Sequence, residues 1–266
     1  MTVRDFMKLK GRRRIVMITA YDYPTALLVD EAGVDGVLVG DSVSMVVYGY
    51  PSTHHATMDM MARHTEAVSR AVKRALVVAD MPFMSYEPGD RDAVINAARL
   101  VRAGADAVKL EGGVEMADRI RAIVRAGIPV MGHVGLTPQR YLVLGGYRRR
   151  GRRRSDAEAV IRDAEAVEEA GAFALVLEYT AEEVAAEITD RLSIPVICIG
   201  SGRYCDGQIL VIHDVLGLYP TSPPFAKRYA DLRSVILDAV KRYAEEVRRG
   251  EFPGEEHVFH AKEEPP

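Results

Sequence analysis

The chain has 266 residues, 48% of them hydrophobic and 27% charged, with a formal net charge of −3. That length suits a single α/β barrel of about 250 residues, and the near-balanced charge gives no overall pull towards nucleic acid or a membrane. No apolar run reaches the ~18 residues of a membrane span, and residues 1–14 are too basic for a signal peptide, so a soluble cytoplasmic protein is expected.

Short apolar runs alternate with longer amphipathic stretches along the whole chain. The first strand-like run covers 15–20 and leads to Asp22, after which Pro24 sits in the first turn of a helix closed by Gly33. The second, 36–40, ends at Asp41-Ser42, and the third, 75–79, ends at Asp80. Between these two, Met58, Met60 and Met61 read as core. The fourth, 107–110, leads to Glu111. Here Lys109 and Glu111 are two apart and share one strand face; with Val108 and Leu110 turned towards helices, the charged pair faces the barrel interior.

Met116, Ile120, Ile123 and Val124 recur at helical spacing before Gly127. The fifth strand, 129–132, precedes His133, and the sixth, 174–177, precedes Glu178. Between them, six arginines crowd 148–154 around Gly151, a run read as a solvated or subunit-contact loop. Ser155 with Glu158, and Thr180 with Glu183, have the spacing of capping boxes. The seventh strand, 195–199, runs into Gly200-Ser201-Gly202, and the eighth covers 209–212. A last helix gathers Leu232, Val235, Ile236, Ala239, Val240, Tyr243 and Val247 on one face, with Gly250 after it.

Ala-Gly pairs at 32–33, 103–104, 126–127 and 170–171 each end a helix just before a strand. Eight such units imply a parallel sheet, and in this length they favour closure into a (βα)8 TIM barrel. The expectation is one barrel domain over 1–266 with a short irregular tail at 251–266. Cys198 and Cys205 are expected to be free thiols, although a bridge is compatible with a hyperthermophile. The scarcity of side-chain amides (Asn96, Gln139 and Gln208) fits a heat-adapted source.

In such a barrel the chemistry sits at the C-terminal ends of the strands. Those positions supply Asp22, Asp41, Asp80, Glu111 and Glu178, more buried negative charge than a fold tolerates without a cation or protons. Asp41, Asp80 and Glu111, with no His or Cys partner, make a hard oxygen site suited to Mg²⁺ or Mn²⁺ rather than Zn²⁺. Lys109 beside them suits an anionic substrate group. Glu178 follows a strongly apolar strand, which would raise its pKa and fit it for taking a proton from carbon. His133 is read either as a substrate or proton-relay group or as a structural histidine, and Ser201 as part of a small anion-binding turn.

Taken in order, Thr19-Ala-Tyr-Asp22, Val39-Gly-Asp-Ser42, Ala79-Asp-Met-Pro-Phe83, Lys109-Leu-Glu-Gly-Gly113, Gly132-His-Val-Gly-Leu-Thr-Pro-Gln139, Leu177-Glu178, Ile199-Gly-Ser-Gly202, Asp206-Gly-Gln208, His213-Asp214 and Phe252-Pro-Gly-Glu-Glu-His257 form a specific series. With it the chain resembles the ketopantoate hydroxymethyltransferase family from about residue 5 to 260. The resemblance implies a barrel of the phosphoenolpyruvate/pyruvate type that transfers a hydroxymethyl group from 5,10-methylenetetrahydrofolate to 3-methyl-2-oxobutanoate. The product is 2-dehydropantoate, a precursor of pantothenate and coenzyme A. It implies one Mg²⁺ per subunit, surrounded by Asp41, Asp80 and Glu111. Asp41, Ser42, Asp80 and Lys109 would contact the keto acid, and Glu178 would accept the proton. It also implies a homo-oligomer, often a decamer. A keto acid chelating Mg²⁺ would have its enolate stabilised by the metal.

The sequence departs from the family pattern at Ser44, where glycine is common, and at Arg149, Arg150 and Arg203. Two other readings compete. A carbon–carbon lyase of the isocitrate-lyase type would carry a lysine–cysteine–glycine–histidine loop, which is missing. A non-catalytic barrel would be expected to lose one of the strand-end acids, and all are present.

Overall fold

The computed structural model describes residues 1–262, and the last four residues of the expected tail lie outside the described residues. Eight strands close into one parallel barrel in sequence order: β1 Ile15–Thr19, β2 Gly36–Val39, β3 Leu76–Asp80, β4 Ala107–Glu111, β5 Val130–Gly135, β6 Ala174–Glu178, β7 Val196–Ile199 and β8 Gly207–Leu210. β8 starts two residues earlier than its apolar run suggests, because Gly207 and Gln208 pair with Ile197 and Cys198.

The barrel interior follows from the two-residue period of a strand. Met17, Leu38, Val78, Ala107, Met131, Val176, Ile197 and Ile209 belong to one buried apolar cluster. Two residues further along the same faces, Val78 gives way to Asp80, Ala107 to Lys109 and then Glu111, Met131 to His133, and Val176 to Glu178. The barrel is therefore apolar below and charged at the top by simple continuation of one face. A five-residue helix, Val3–Met7, joins the apolar end: fully buried Phe6 meets Phe173 edge to face at 6.0 Å.

The outer helices end as their sequences direct. Ala32, Ala103, Ala126 and Ala170 are each the last helical cap, and the glycine after each takes positive φ, between 83° and 104°, which turns the chain into the next strand without a Cβ penalty. Asp22 caps the helix Tyr23–Glu31 by accepting from Thr25 N at 2.8 Å, so this strand-end acid is spent on the helix. Neither expected capping box forms. The helix Arg154–Glu169 begins before Ser155, and Asp156 instead collects the loop donors Gly151 N and Arg150 Nε. Thr180 turns its hydroxyl onto the Glu178 carbonyl at 3.0 Å, leaving the helix Glu182–Arg191 without a side-chain cap. Of the three methionines, Met61 is fully buried, while Met58 and Met60 are half-buried.

Free thiols were the wrong expectation. The turn after β7 brings the Cα atoms of Cys198 and Cys205 to 5.9 Å, and the two residues are joined by a disulfide. A loop this short gains roughly 2 kcal/mol by the chain-entropy argument.

The described residues divide into two compact units, the barrel unit Met1–Ile212 and a second beginning at His213. The second contains the helix Leu232–Arg249, whose N-cap Asp231 accepts from Ser234 N and whose C-cap is Gly250. None of its residues is buried, and Val235, Val240 and Tyr243 are more than half exposed. Beyond it a short 3-10 turn, Glu255–His257, interrupts the irregular tail.

Candidate active site

Strand register brings the expected residues together. Asp80 lies opposite Lys109, Glu111 opposite His133, and Glu178 opposite Gly135. Asp41 and Ser42 follow β2. A Cβ at Gly40 before them would stand 2.7 Å from Ser42 Oγ and would turn that hydroxyl out of its present position. Asp41, Asp80, Lys109, Glu111 and His133 are all 5% exposed or less, so their charges must be settled among themselves.

Lys109 is the cationic centre. Its Nζ stands 2.9 Å from Asp80 Oδ1 and 3.1 Å from His133 Nδ1. Burial alone would lower its pKa, but Asp80, Glu111 and Asp41 outweigh burial and raise it, so Lys109 stays protonated. An ammonium can only donate, so His133 Nδ1 accepts and its proton sits on Nε2. Burial, then the lysine charge, holds His133 far below the usual imidazole range, and it is neutral. Its Nε2 lies 3.2 Å from Glu178 Oε2 but is not aligned for a hydrogen bond, leaving a buried donor without a partner.

The acids are equally strained. Burial and then the charge of Asp80 raise Asp41 to about 7; burial and then Asp41 push Glu111 well up; burial raises Glu178 to about 7, partly offset by Lys109. Asp80 Oδ2 accepts from Asp41 N at 3.0 Å, while its Oδ1 has the lysine contact but no aligned hydrogen bond. Among the described residues, no three of His, Cys, Asp and Glu already converge as a metal cage. The donor chemistry nevertheless fits a hard divalent cation. Three buried carboxylates repel one another, and one of their oxygens lacks a hydrogen bond.

The protons held here have a measurable consequence. Asp41 and Glu178 titrate near 7 in the fold against about 4 in an unfolded chain. Between those values Asp41 and Glu178, with Glu111 raised alongside them, hold more protons in the native state than in the unfolded one; neutral His133 opposes them below about 6.5 but is one group against three, so stability falls as pH rises from about 4 to about 7 and then levels. Thermal midpoints in EDTA are expected to drop across that window, and a flat or rising profile would contradict the shifts.

Two residues that the sequence left unassigned organise the site. Gln139 is 3% exposed; its Nε2 donates to Asp41 Oδ2 (2.8 Å) and to Met81 O (3.0 Å), and its backbone N donates to Glu111 Oε2 (2.9 Å). Tyr86 OH donates to Gln139 Oε1 at 2.6 Å and accepts from Glu111 N at 3.2 Å. The available signal for Gln139 was its rarity, an amide in a chain that nearly lacks them. Ser42 Oγ is within 2.8 Å of Tyr21 OH. Ser201 is fully buried, accepts from Thr180 N at 2.9 Å and donates to Leu177 O at 2.9 Å, so its hydroxyl braces the backbone around Glu178. Tyr179, next to Glu178, has φ 48°, and Met84, after Phe83, has φ 63°; both are non-glycine residues in the left-handed region.

The unusual residues are accommodated locally. Ser44 donates to Asp41 O (2.9 Å) and Ser52 O (3.1 Å). Arg150 bonds Asp156 and Gly135 O, Arg203 pairs with Glu182, and Arg149 lies over Tyr179. Of the other loop arginines, Arg154 pairs with Glu158, while Arg148, Arg152 and Arg153 are exposed. No helix among the described residues is long and apolar enough to cross a membrane.

Comparison with known proteins agrees with this architecture. The family described as ketopantoate hydroxymethyltransferase matches residues 1–255. A 3-methyl-2-oxobutanoate hydroxymethyltransferase of Hyperthermus butylicus is 68% identical over 96% of this chain and 88% of its own length. One of Staphylothermus marinus is 62% identical over 98% and 96%. Among solved structures, a phosphoenolpyruvate phosphomutase of Streptomyces platensis subsp. rosaceus superposes with TM-score 0.64 at 17% identity, over 94% of this chain and 88% of that one. A phosphonopyruvate hydrolase, solved in complex with oxalate and Mg²⁺, gives 0.62 at 15%, over 97% and 93%. At those identities the likeness is one of fold.

Proposed function

The chain belongs to the ketopantoate hydroxymethyltransferase family, and from that membership we propose that it moves a one-carbon unit from 5,10-methylenetetrahydrofolate to 3-methyl-2-oxobutanoate. The carrier leaves as tetrahydrofolate, one water is consumed, and the product is 2-dehydropantoate. A cytoplasmic location belongs to the same reading.

The observation that carries the site assignment is Glu178, whose Oε2 lies 3.2 Å from Nε2 of a neutral histidine and whose carboxyl is raised to about 7 by burial. Such a group is partly ionised near neutrality and strong enough to take the proton from the carbon beside the ketone. Lys109 and Ser42 bind the keto acid's carboxylate end and orient that carbon towards Glu178. The unpartnered His133 Nε2–H is available to a substrate oxygen or to Glu178 itself. Asp41, Asp80 and Glu111 would hold the Mg²⁺, one per subunit. When bound, the metal supplies Lewis-acid withdrawal of charge from the keto-acid oxygens. Ser201 positions Glu178 through its neighbours' backbone. A homo-oligomer completes the reading, supported by the exposed apolar face of the helix Leu232–Arg249.

Turnover of 3-methyl-2-oxobutanoate with methylenetetrahydrofolate tests the proposal. Activity is expected to fall by at least about 100-fold in EDTA and to return with Mg²⁺. Turnover indifferent to the chelator would remove the metal from the scheme, and none with fresh Mg²⁺ would remove the reaction.

A further inference from the structure

Each connection from one barrel strand to the next carries a helix, except the last: residues 200–206, between β7 and β8, carry none. This bare connection opens with Gly200-Ser201-Gly202, and both glycines take positive φ, 66° and 87°. Glycine has more backbone freedom to lose than any other residue, so the triplet by itself does not hold one shape. Yet it carries Ser201, the fully buried residue that grips the backbone on both sides of Glu178. The Ser201 hydroxyl donates to Leu177 O, one residue before the base, and accepts from Thr180 N, two residues after it. The gripped span needs that support, because Tyr179 within it is held in the left-handed region at φ 48°.

Most ties on this connection lie at the surface. Arg203 pairs with Glu182 from a side chain that is 80% exposed, and exposed Gln208 donates to Gly202 O at 2.9 Å. Exposed ion pairs contribute little order. The foot is firmer, since Asp206 Oδ2 accepts from Val196 N at 2.9 Å and from Lys10 Nζ at 2.6 Å. Between that foot and the strand stands the disulfide. Cys198 and Cys205 are both fully buried, and their bond closes a loop with Ser201 and its two glycines inside it. The glycine turn therefore hangs between two fixed points, at a place where the other connections have a helix.

Resting on the assignment of Glu178 as the base, we propose that the Cys198–Cys205 disulfide is a positioning element for proton removal: by closing the glycine turn it fixes Ser201, and through Ser201 the backbone that aims the Glu178 carboxylate. Neither cysteine touches the substrate. Both act through one hydroxyl, in series with it. Proton transfer from carbon is sensitive to such aim, since a displacement of about 1 Å at a reacting group can cost on the order of 100-fold in rate. The bond thus has a role in rate that is separate from its contribution to stability.

The test compares the Mg²⁺-loaded full chain with Cys198→Ala/Cys205→Ala, with Cys198→Val/Cys205→Ala as a better-filled second pair, with Ser201→Ala, and with the triple alanine variant. Exchange of the substrate's enolisable proton with deuterated water is followed well below every thermal midpoint, over a range of keto-acid concentrations. Without the disulfide, exchange is expected to slow about tenfold while the half-saturating keto-acid concentration stays within about twofold of wild type. Ser201→Ala is expected to slow exchange by a similar factor, and the triple variant no further, because bridge and hydroxyl act in series. Undiminished exchange in the disulfide-free pairs leaves a staple for the fold alone and overturns the proposal. Losses that multiply in the triple variant overturn it too, since the bridge then acts by another route. So does loss of native circular dichroism in both pairs, which makes the bond a requirement of folding. Exchange that survives Glu178→Gln refutes the base, and the tether's role falls with it; a failed tether leaves that variant inactive.

Discussion

Glu178→Gln is expected to lower kcat by about 10³- to 10⁴-fold while leaving keto-acid and Mg²⁺ binding close to wild type. The side chain keeps its size and can still meet His133 Nε2, 3.2 Å away in the native enzyme, but it can no longer take a proton. The decisive readout is solvent exchange of the proton beside the ketone, followed by NMR in deuterated water without the carrier. Exchange should disappear with turnover. Exchange at the wild-type rate would reassign the base.

The second large effect is expected at Asp80. Asp80→Ala removes the partner 2.9 Å from Lys109 Nζ and the acceptor of Asp41 N. Breaking a buried ion pair generally costs about 3–5 kcal/mol. Glu111 and Asp41 also stabilise the charged lysine, which sets the expected loss at the lower end of that range. Mg²⁺ affinity should fall by at least about tenfold. Asp80→Asn separates the two roles, because it keeps an acceptor for Asp41 N and loses only the charge. It should lose less stability than Asp80→Ala, since only the ion-pair charge is gone, yet still bind Mg²⁺ weakly. An unchanged calorimetric Mg²⁺ titration in both variants would sink the metal site.

The barrel was legible because its signal is periodic and repeated. Each strand is a short β-branched run, each Ala-Gly ending marks a return, and two-residue spacing alone put Lys109 and Glu111 on one face. The acids could be found by where strands stop. What was not legible depends on contacts between distant segments. The helix Val3–Met7 is too short to show a period, and Phe6 is recognisable as a barrel plug only once Phe173 is opposite it. Gln139 lies 98 residues from Asp41, and nothing local marks an amide that serves two acids. The disulfide required knowing that the turn after β7 folds back on itself. The capping boxes failed because Asp156 and Thr180 found stronger local uses.

The single amide at Gln139 also ties the site's parts into one mechanical unit. Asp41 hangs from its side chain and Glu111 from its backbone, while Tyr86 locks its other end. A cation drawn to either acid must therefore tug on both, so the β2 and β4 ends adjust in concert. Changes at Asp41, Tyr86, Gln139 and Glu111 will compound non-additively, as alterations to one joint.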